Sequence, residues 1–161
     1  MSRTLSRSGG IALTLAVALA VAIATIGVRV SDRSVTFDGK QVTPREIERG
    51  EALYATSCAS CHGTNLEGQA DWKRRLDSGR MPAPPHDESG HTWHHSDRDL
   101  FTMTKRGVDA LVPGYESDMP AFGGALSDAE ITAVLAYIKS RWSERERVFQ
   151  AEVTANDGGR P

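Results

Sequence analysis

The residues best equipped for chemistry lie within five positions, Cys58-Ala59-Ser60-Cys61-His62. They include both cysteines of the chain, which stand three apart, too close for a disulfide that would staple a small fold. A local dithiol, a metal site and covalent attachment of haem all use a thiol pair at that spacing. The histidine after Cys61 completes C-x-x-C-H, the pattern of haem attachment. At the end of a helix, two thiols three apart can reach the two vinyl groups on one haem edge, and the next histidine then lies under the iron. A thioredoxin-like dithiol needs a βαβ pattern around the motif, whereas this stretch reads as helices and loops. Zinc is disfavoured because two cysteines and an adjacent histidine cannot close a tetrahedral site without strain and a fourth ligand.

A second group of potential ligands is His86, His91, His94 and His95, with Trp93 among them. Imidazoles at i and i+3 or i+4 could hold copper or zinc. The plainer expectation is a polar loop in which Trp93 covers the cofactor edge while imidazoles or Arg80 bond its propionates. Histidine spacing without cysteine or a clear quartet of ligands arises readily by chance, so the plainer reading is preferred.

Three helices with readable ends frame these residues. Thr43-Pro44-Arg45-Glu46 joins an N-cap threonine, a proline at the first helical position and a glutamate at the third, which predicts a helix from Pro44 to about Ser57. Ser96 opens a second helix that runs to Arg106, with acids at its start, Lys105 and Arg106 at its end and Gly107 beyond. Ser127-Asp128-Ala129-Glu130 is another capping box, and Ile131, Val134, Leu135, Ile138 and Trp142 follow at helical spacing. Between His62 and His95 only Asp71 to Leu76 offers a short helical turn, and a loop of that length implies that something large fills the space it wraps. Asp38-Gly39, between Val35-Thr36-Phe37 and Lys40-Gln41-Val42, fits a two-residue hairpin turn. Glu144 to Val153 reads as a polar helix and Thr154 to Pro161 as a frayed tail.

The chain has 161 residues, 39% of them hydrophobic and 25% charged, enough for one ordinary domain. Its net charge is −2, and Arg3, Arg7 and Arg29 are the only charges in the first 29 residues, so the remainder carries −5. An acidic body argues against nucleic acid as a partner. Ile11 to Val28 is an uncharged stretch of eighteen residues flanked by arginines, about 27 Å long as a helix, and is expected to be an uncleaved membrane anchor. The competing reading is a signal peptide cut after Ala22-Ile23-Ala24. Either reading exports the domain. The expected organisation is residues 1–28 as anchor or signal peptide, 29–43 as linker, 44–142 as haem domain and 143–161 as polar C-terminal extension.

Over about residues 43 to 142 the sequence resembles the class I c-type cytochromes. Gly50-Glu51-Ala52-Leu53-Tyr54 before Cys58-Ala59-Ser60-Cys61-His62-Gly63 looks like that family's N-terminal helix, and Leu135-Ala136-Tyr137-Ile138 looks like its C-terminal helix. The resemblance implies an all-α, cytochrome c-like helical domain around one covalent haem c, in which these two helices cross and Gly50 permits the close approach. It further implies that Cys58 and Cys61 carry the haem and that His62 is an axial ligand. Met119, in Asp118-Met119-Pro120-Ala121-Phe122-Gly123, stands where the family places its sixth ligand. Met81 and a histidine are the weaker candidates, while Met103 lies three residues from Leu100 on the middle helix and suits the core. Pro84 or Pro85 is in a position to supply the backbone carbonyl that fixes the proximal imidazole.

The expected function is one-electron transfer without transformation of a substrate, since a saturated His/Met iron excludes oxygen and peroxide. The expected place is the outer face of the inner membrane, with the haem domain in the periplasm. The expected partners are a membrane reductase, a terminal oxidase or a periplasmic dehydrogenase, met through the membrane helix and small transient contacts. The alternatives are a haem c subunit of a dehydrogenase or oxidase complex, or a ligand-binding haem protein with an open sixth position.

Overall fold

The computed structural model describes residues 34–158. The expected membrane segment, Ile11 to Val28, lies outside the described residues; among those that are described, no helix is long and apolar enough to cross a membrane. From Val35 on, the described residues form one compact unit.

The unit opens with the hairpin, β1 (Val35–Phe37) and β2 (Lys40–Val42), in antiparallel register with Val35 opposite Val42 and Phe37 opposite Lys40. Asp38 and Gly39 take φ of 49° and 72°, the left-handed pair that a tight two-residue turn demands. Expected to belong to a tether, this ribbon is instead docked. Val35 and Phe37 point inward and are buried, while Thr36 between them is exposed.

Helix α1 (Pro44–Ser57) starts with the expected capping box: Thr43 accepts from the Glu46 amide, and the Glu46 carboxylate accepts from the Thr43 amide. The chain kinks at Cys58 and continues as the single turn α2 (Ala59–His62). Helix α3 (Asp97–Arg106) is capped by Ser96 and stopped at Gly107, whose φ of 94° suits glycine. Helix α4 (Asp128–Ser140) carries the second capping box, Ser127 with Glu130. Helix α5 (Glu144–Asp157) follows after a sharp corner. Thr154 to Asp157, expected to fray, thus continue a helix. The expected helical turn at Asp71 to Leu76 is only hydrogen-bonded turn structure around Asp71, whose carbonyl accepts from the Arg74 amide.

Helix α4 is the centre of the unit. Ile131, Val134, Leu135, Ile138 and Trp142 are all buried, as their spacing predicts, but so are Ala133, Ala136, Tyr137 and Lys139. The helix is covered on more than one side because α1, α3 and β1 all pack on it. Its closest crossing is with α1 at Gly50, where a Cβ would stand 2.0 Å from the Ala133 carbonyl oxygen. Beyond the crossing, the rings of Tyr54 and Tyr137 meet at 5.4 Å, and Phe37, Leu66 and Leu100 complete the core. Met103 packs partly buried against this core, as expected of a core residue.

Helix α5 looks polar in sequence yet buries Glu146, Gln150 and Asp157. Asp157 accepts from Ser96 Oγ and from Arg98 Nη2, the latter at 2.9 Å, and Gln150 Nε2 donates to Asp97 Oδ1 at 2.8 Å. These bonds tie α5 to the start of α3.

Candidate functional site

The C-x-x-C-H residues sit where α1 ends and α2 begins. The Cys58 amide closes α1 on the Tyr54 carbonyl, and the Cys61 and His62 amides both turn back to the Cys58 carbonyl. One helical turn therefore carries both thiols and the imidazole. Both cysteines are free, Cys58 half-buried and Cys61 exposed. Burial, with the neighbouring Cys61 second, pushes the Cys58 thiol up to about 11, so the protonated form is favoured.

His62 is only 8% exposed. Its Nδ1–H donates to the Pro84 carbonyl at 2.9 Å, the bond expected of Pro84 or Pro85. This bond fixes the tautomer: the proton is on Nδ1, and Nε2 keeps the lone pair that a metal needs. Burial lowers the pKa of His62, opposed by that same bond, so the ring is held neutral. After His62 the chain leaves the turn through Gly63 at φ 81°, whose carbonyl accepts from Tyr54 Oη at 2.8 Å.

The loop that follows is held by short-range fits. A Cβ at Gly68 would lie 2.4 Å from the Pro85 nitrogen, and one at Gly90 would lie 2.0 Å from the Pro85 carbonyl oxygen. These glycines let the chain close around Pro84 and Pro85. The Leu66 carbonyl accepts from the His86 amide at 2.7 Å, and Trp142 Nε1 donates to the His86 carbonyl at 2.7 Å.

The histidine group converges only as one pair, His91 and His95, whose rings meet edge to face at 5.5 Å. His86 faces His62, His91 stacks on Trp72 with centroids 5.3 Å apart, and His94 lies against Trp93 and Phe149. Among the described residues, no group of three or more His, Cys, Asp or Glu is placed to hold a metal ion. Trp93 packs edge-on against Phe149 of α5, and its indole N–H is buried without a partner. Arg80 pairs with Glu116 and Asp118 on the surface.

Met119 is half-buried in the loop before α4, its amide donating to Ser117 Oγ at 3.1 Å. It lines a pocket of about 330 Å³ with Arg80, Arg106, Tyr115 and Ser117; Cys58, Cys61 and His62 do not line that pocket. Met81 is also half-buried, in the loop that carries Arg80.

Two free thiols on one turn, beside a neutral imidazole whose Nδ1 is occupied and whose Nε2 is not, fit covalent haem. The same set does not fit zinc, and the antiparallel ribbon with flanking helices is not the βαβ setting of a redox dithiol.

Comparison with known proteins agrees with this chemistry. The family described as Cytochrome c matches residues 47–142. The cytochrome c subunit of the cytochrome bc1 complex of Corynebacterium diphtheriae is 28% identical over 134 residues, covering 79% of this chain and 41% of that protein. The cytochrome subunit of fructose dehydrogenase of Gluconobacter japonicus is 29% identical over 108 residues, covering 64% of this chain and 20% of that protein. The chain thus spans less than half the length of either relative. Cytochrome cL of Methylophaga aminisulfidivorans, a crystal structure, aligns with a TM-score of 0.44 at 20% identity over 76% of this chain and 90% of that one. The motif and the match across the helical core together place this chain in the cytochrome c family, as a class I c-type cytochrome that binds haem c covalently and transfers electrons.

Proposed function

We propose that this domain is a membrane-tethered electron carrier whose haem c is bound through Cys58 and Cys61, with His62 and Met119 as the axial pair, on the periplasmic side of the inner membrane. The observation that carries the reading is the His62 Nδ1–H bond to the Pro84 carbonyl at 2.9 Å beside two free thiols. When bound, haem c supplies a one-electron ferric/ferrous couple. The Pro84 carbonyl orients the imidazole and makes it a better donor. A thioether at the sixth position, from Met119, favours the ferrous state and closes the site to oxygen, which suits transfer between proteins rather than catalysis. The anchor at Ile11 to Val28 confines the domain near its donor and acceptor and raises their effective concentration.

The test is spectroscopy and mass spectrometry on protein made in a host that attaches haem. The mature mass reports one haem and the state of the N-terminus. A low-spin ferric spectrum with a methionine-to-iron charge-transfer band, lost in Met119→Ala and kept in Met81→Leu, is the expected result. A high-spin wild type overturns the carrier reading in favour of a ligand-binding haem protein.

A second reading follows from the relatives, both of which are named as cytochrome subunits of larger assemblies. In it the chain serves one reductase or dehydrogenase complex. Extraction from native membranes in mild detergent separates the two: migration at fixed stoichiometry with a partner subunit supports the complex, and migration alone supports the shuttle.

A further inference from the structure

The face of His62 is occupied as well as its edge. The imidazole of His86 lies on it with ring centroids 4.0 Å apart and planes 20° apart, a parallel stack. We infer that His86 is a positioning residue for the proximal ligand, setting the rotation of the His62 ring about its bond to the iron.

A hydrogen bond from Nδ1 to the Pro84 carbonyl aims the imidazole but leaves it free to rock about that line. A parallel ring against its face removes this second freedom. His86 can act as such a wall because it is itself held at four points. Its amide donates to the Leu66 carbonyl at 2.7 Å, and its carbonyl accepts from Trp142 Nε1 at 2.7 Å. Its Nδ1 lies 2.8 Å from Thr92 Oγ1, and Tyr54 meets its ring edge-on at 6.3 Å. The hydroxyl of Thr92 donates to the Pro85 carbonyl at 3.3 Å and has no second proton, so it accepts from His86. The proton of His86 is therefore on Nδ1, and the ring facing His62 is a fixed tautomer in a fixed plane.

Residues 84 to 86 thus carry both restraints: the carbonyl of Pro84 on the edge of His62 and the ring of His86 on its face. Gly68 and Gly90 close against Pro85 between them, so the two restraints move as one unit. In a low-spin ferric haem the plane of the axial imidazole governs how unpaired spin is shared among the haem methyl groups. A ring free to rock would average that distribution and shift the potential at which the iron is reduced.

This inference rests on His62 as an axial ligand, which the haem content and low-spin spectrum of the wild type test separately. The experiment compares wild type, His86→Phe and His86→Leu as haem-loaded ferric proteins, by proton NMR of the hyperfine-shifted haem methyls and by redox titration. The expected result is a reordered methyl pattern and a shifted potential in His86→Leu. His86→Phe, which keeps a flat ring but loses the bond to Thr92, restores most of both. A merely structural role predicts that both variants lose stability and keep the wild-type methyl pattern, and that outcome overturns the inference. Equal change in Phe and Leu overturns it too, because the stacked ring would not be the cause. Should His86→Leu fail to load haem, His86→Asn decides: its side-chain amide keeps a donor toward Thr92 but removes the ring, so a reordered methyl pattern supports the inference and a wild-type pattern overturns it.

Discussion

Lys139 Nζ donates to Asp97 Oδ1 at 2.6 Å inside the protein, where the two side chains are only 7% and 4% exposed. The pair joins α4 to the first turn of α3, and the carboxylate is shared further. Asp97 Oδ1 accepts from Gln150 Nε2 at 2.8 Å, Oδ2 accepts from the Asp38 amide at 2.8 Å, and Lys139 lies 5.3 Å from the centre of the Phe37 ring. One buried charge pair therefore gathers the hairpin and three helices. Burial lowers the pKa of Lys139, with Asp97 opposing, so the ammonium depends on its partner.

Removing one member should leave the other charged and buried. Lys139→Met is expected to cost about 3–5 kcal/mol in urea denaturation of the haem-loaded protein. Asp97→Asn in the Lys139→Met background should recover part of the loss, because a neutral amide oxygen still accepts from Gln150 or Asp38. Additive losses in the double variant would show that the two residues do not share one charge pair.

The crossing of α1 and α4 makes a sharper test. Alanine is a better helix former than glycine by about 1 kcal/mol, so propensity alone predicts that Gly50→Ala stabilises. The new Cβ would stand 2.0 Å from the Ala133 carbonyl oxygen, and backbone cannot swing aside as a flexible side chain does. Overpacking should win, with a net loss of about 1–3 kcal/mol in thermal or urea unfolding. Ala133→Gly should not rescue the variant, because the clash is with the carbonyl and not with the methyl group.

The two capping boxes predict a pH dependence. Glu130 is held down to about 2 by the Ser127 amide first, then the Ser127 hydroxyl and Arg49, against an ordinary value of 4.5. Its folded pKa is depressed, so its contribution is complete above pH 4.5, where both states are ionised. Below that the unfolded chain takes up the proton first, and the contribution is gone once the pH passes about 2. Glu130→Gln should flatten the fall of stability with pH within that window and leave the slope near neutrality unchanged, as followed by urea midpoints. A variant that matched the wild-type slope between pH 4 and 2 would assign the acid sensitivity to other carboxylates.

What the sequence shows in advance is local. Thr43 with Glu46, Ser127 with Glu130 and Asp38-Gly39 declare helix starts and a turn because their partners lie within a few residues, and each is found in place. C-x-x-C-H is legible for the same reason. Gly50 is foreseen only through likeness to a family, since nothing near it in sequence names Ala133. The polar face of α5 hides its role. Glu146, Gln150 and Asp157 look solvated until α3 presents Ser96, Asp97 and Arg98 to them, and periodicity counts apolar residues only. The stack of His86 on His62 is silent too, because two imidazoles far apart in sequence carry no mark of facing each other.

Helix α5 is tied into the fold by buried polar groups, and truncation exposes their role. If α5 were a passive tail, ending the chain after Ser143 would leave the stability of the haem-loaded domain unchanged. The contacts argue otherwise. Gln150 is 1% exposed and its Nε2 reaches the His95 carbonyl at 3.2 Å as well as Asp97, while Thr154 Oγ1 accepts from the Asp97 amide at 3.1 Å. Truncation strips these bonds from the start of α3 and uncovers Trp93, which Phe149 now meets at 5.2 Å. Each buried polar group left unpaired costs about 1–3 kcal/mol, so the truncated protein should lose several kcal/mol and show faster amide exchange at Asp97 and Asp99. Gln150→Ala, which removes one side chain and leaves the helix, should lose a smaller part of the same stability. Its effect should grow when Lys139→Met is also present, since both side chains donate to the same oxygen of Asp97 and Gln150 is then, among the described residues, the only side-chain donor left to that buried carboxylate oxygen.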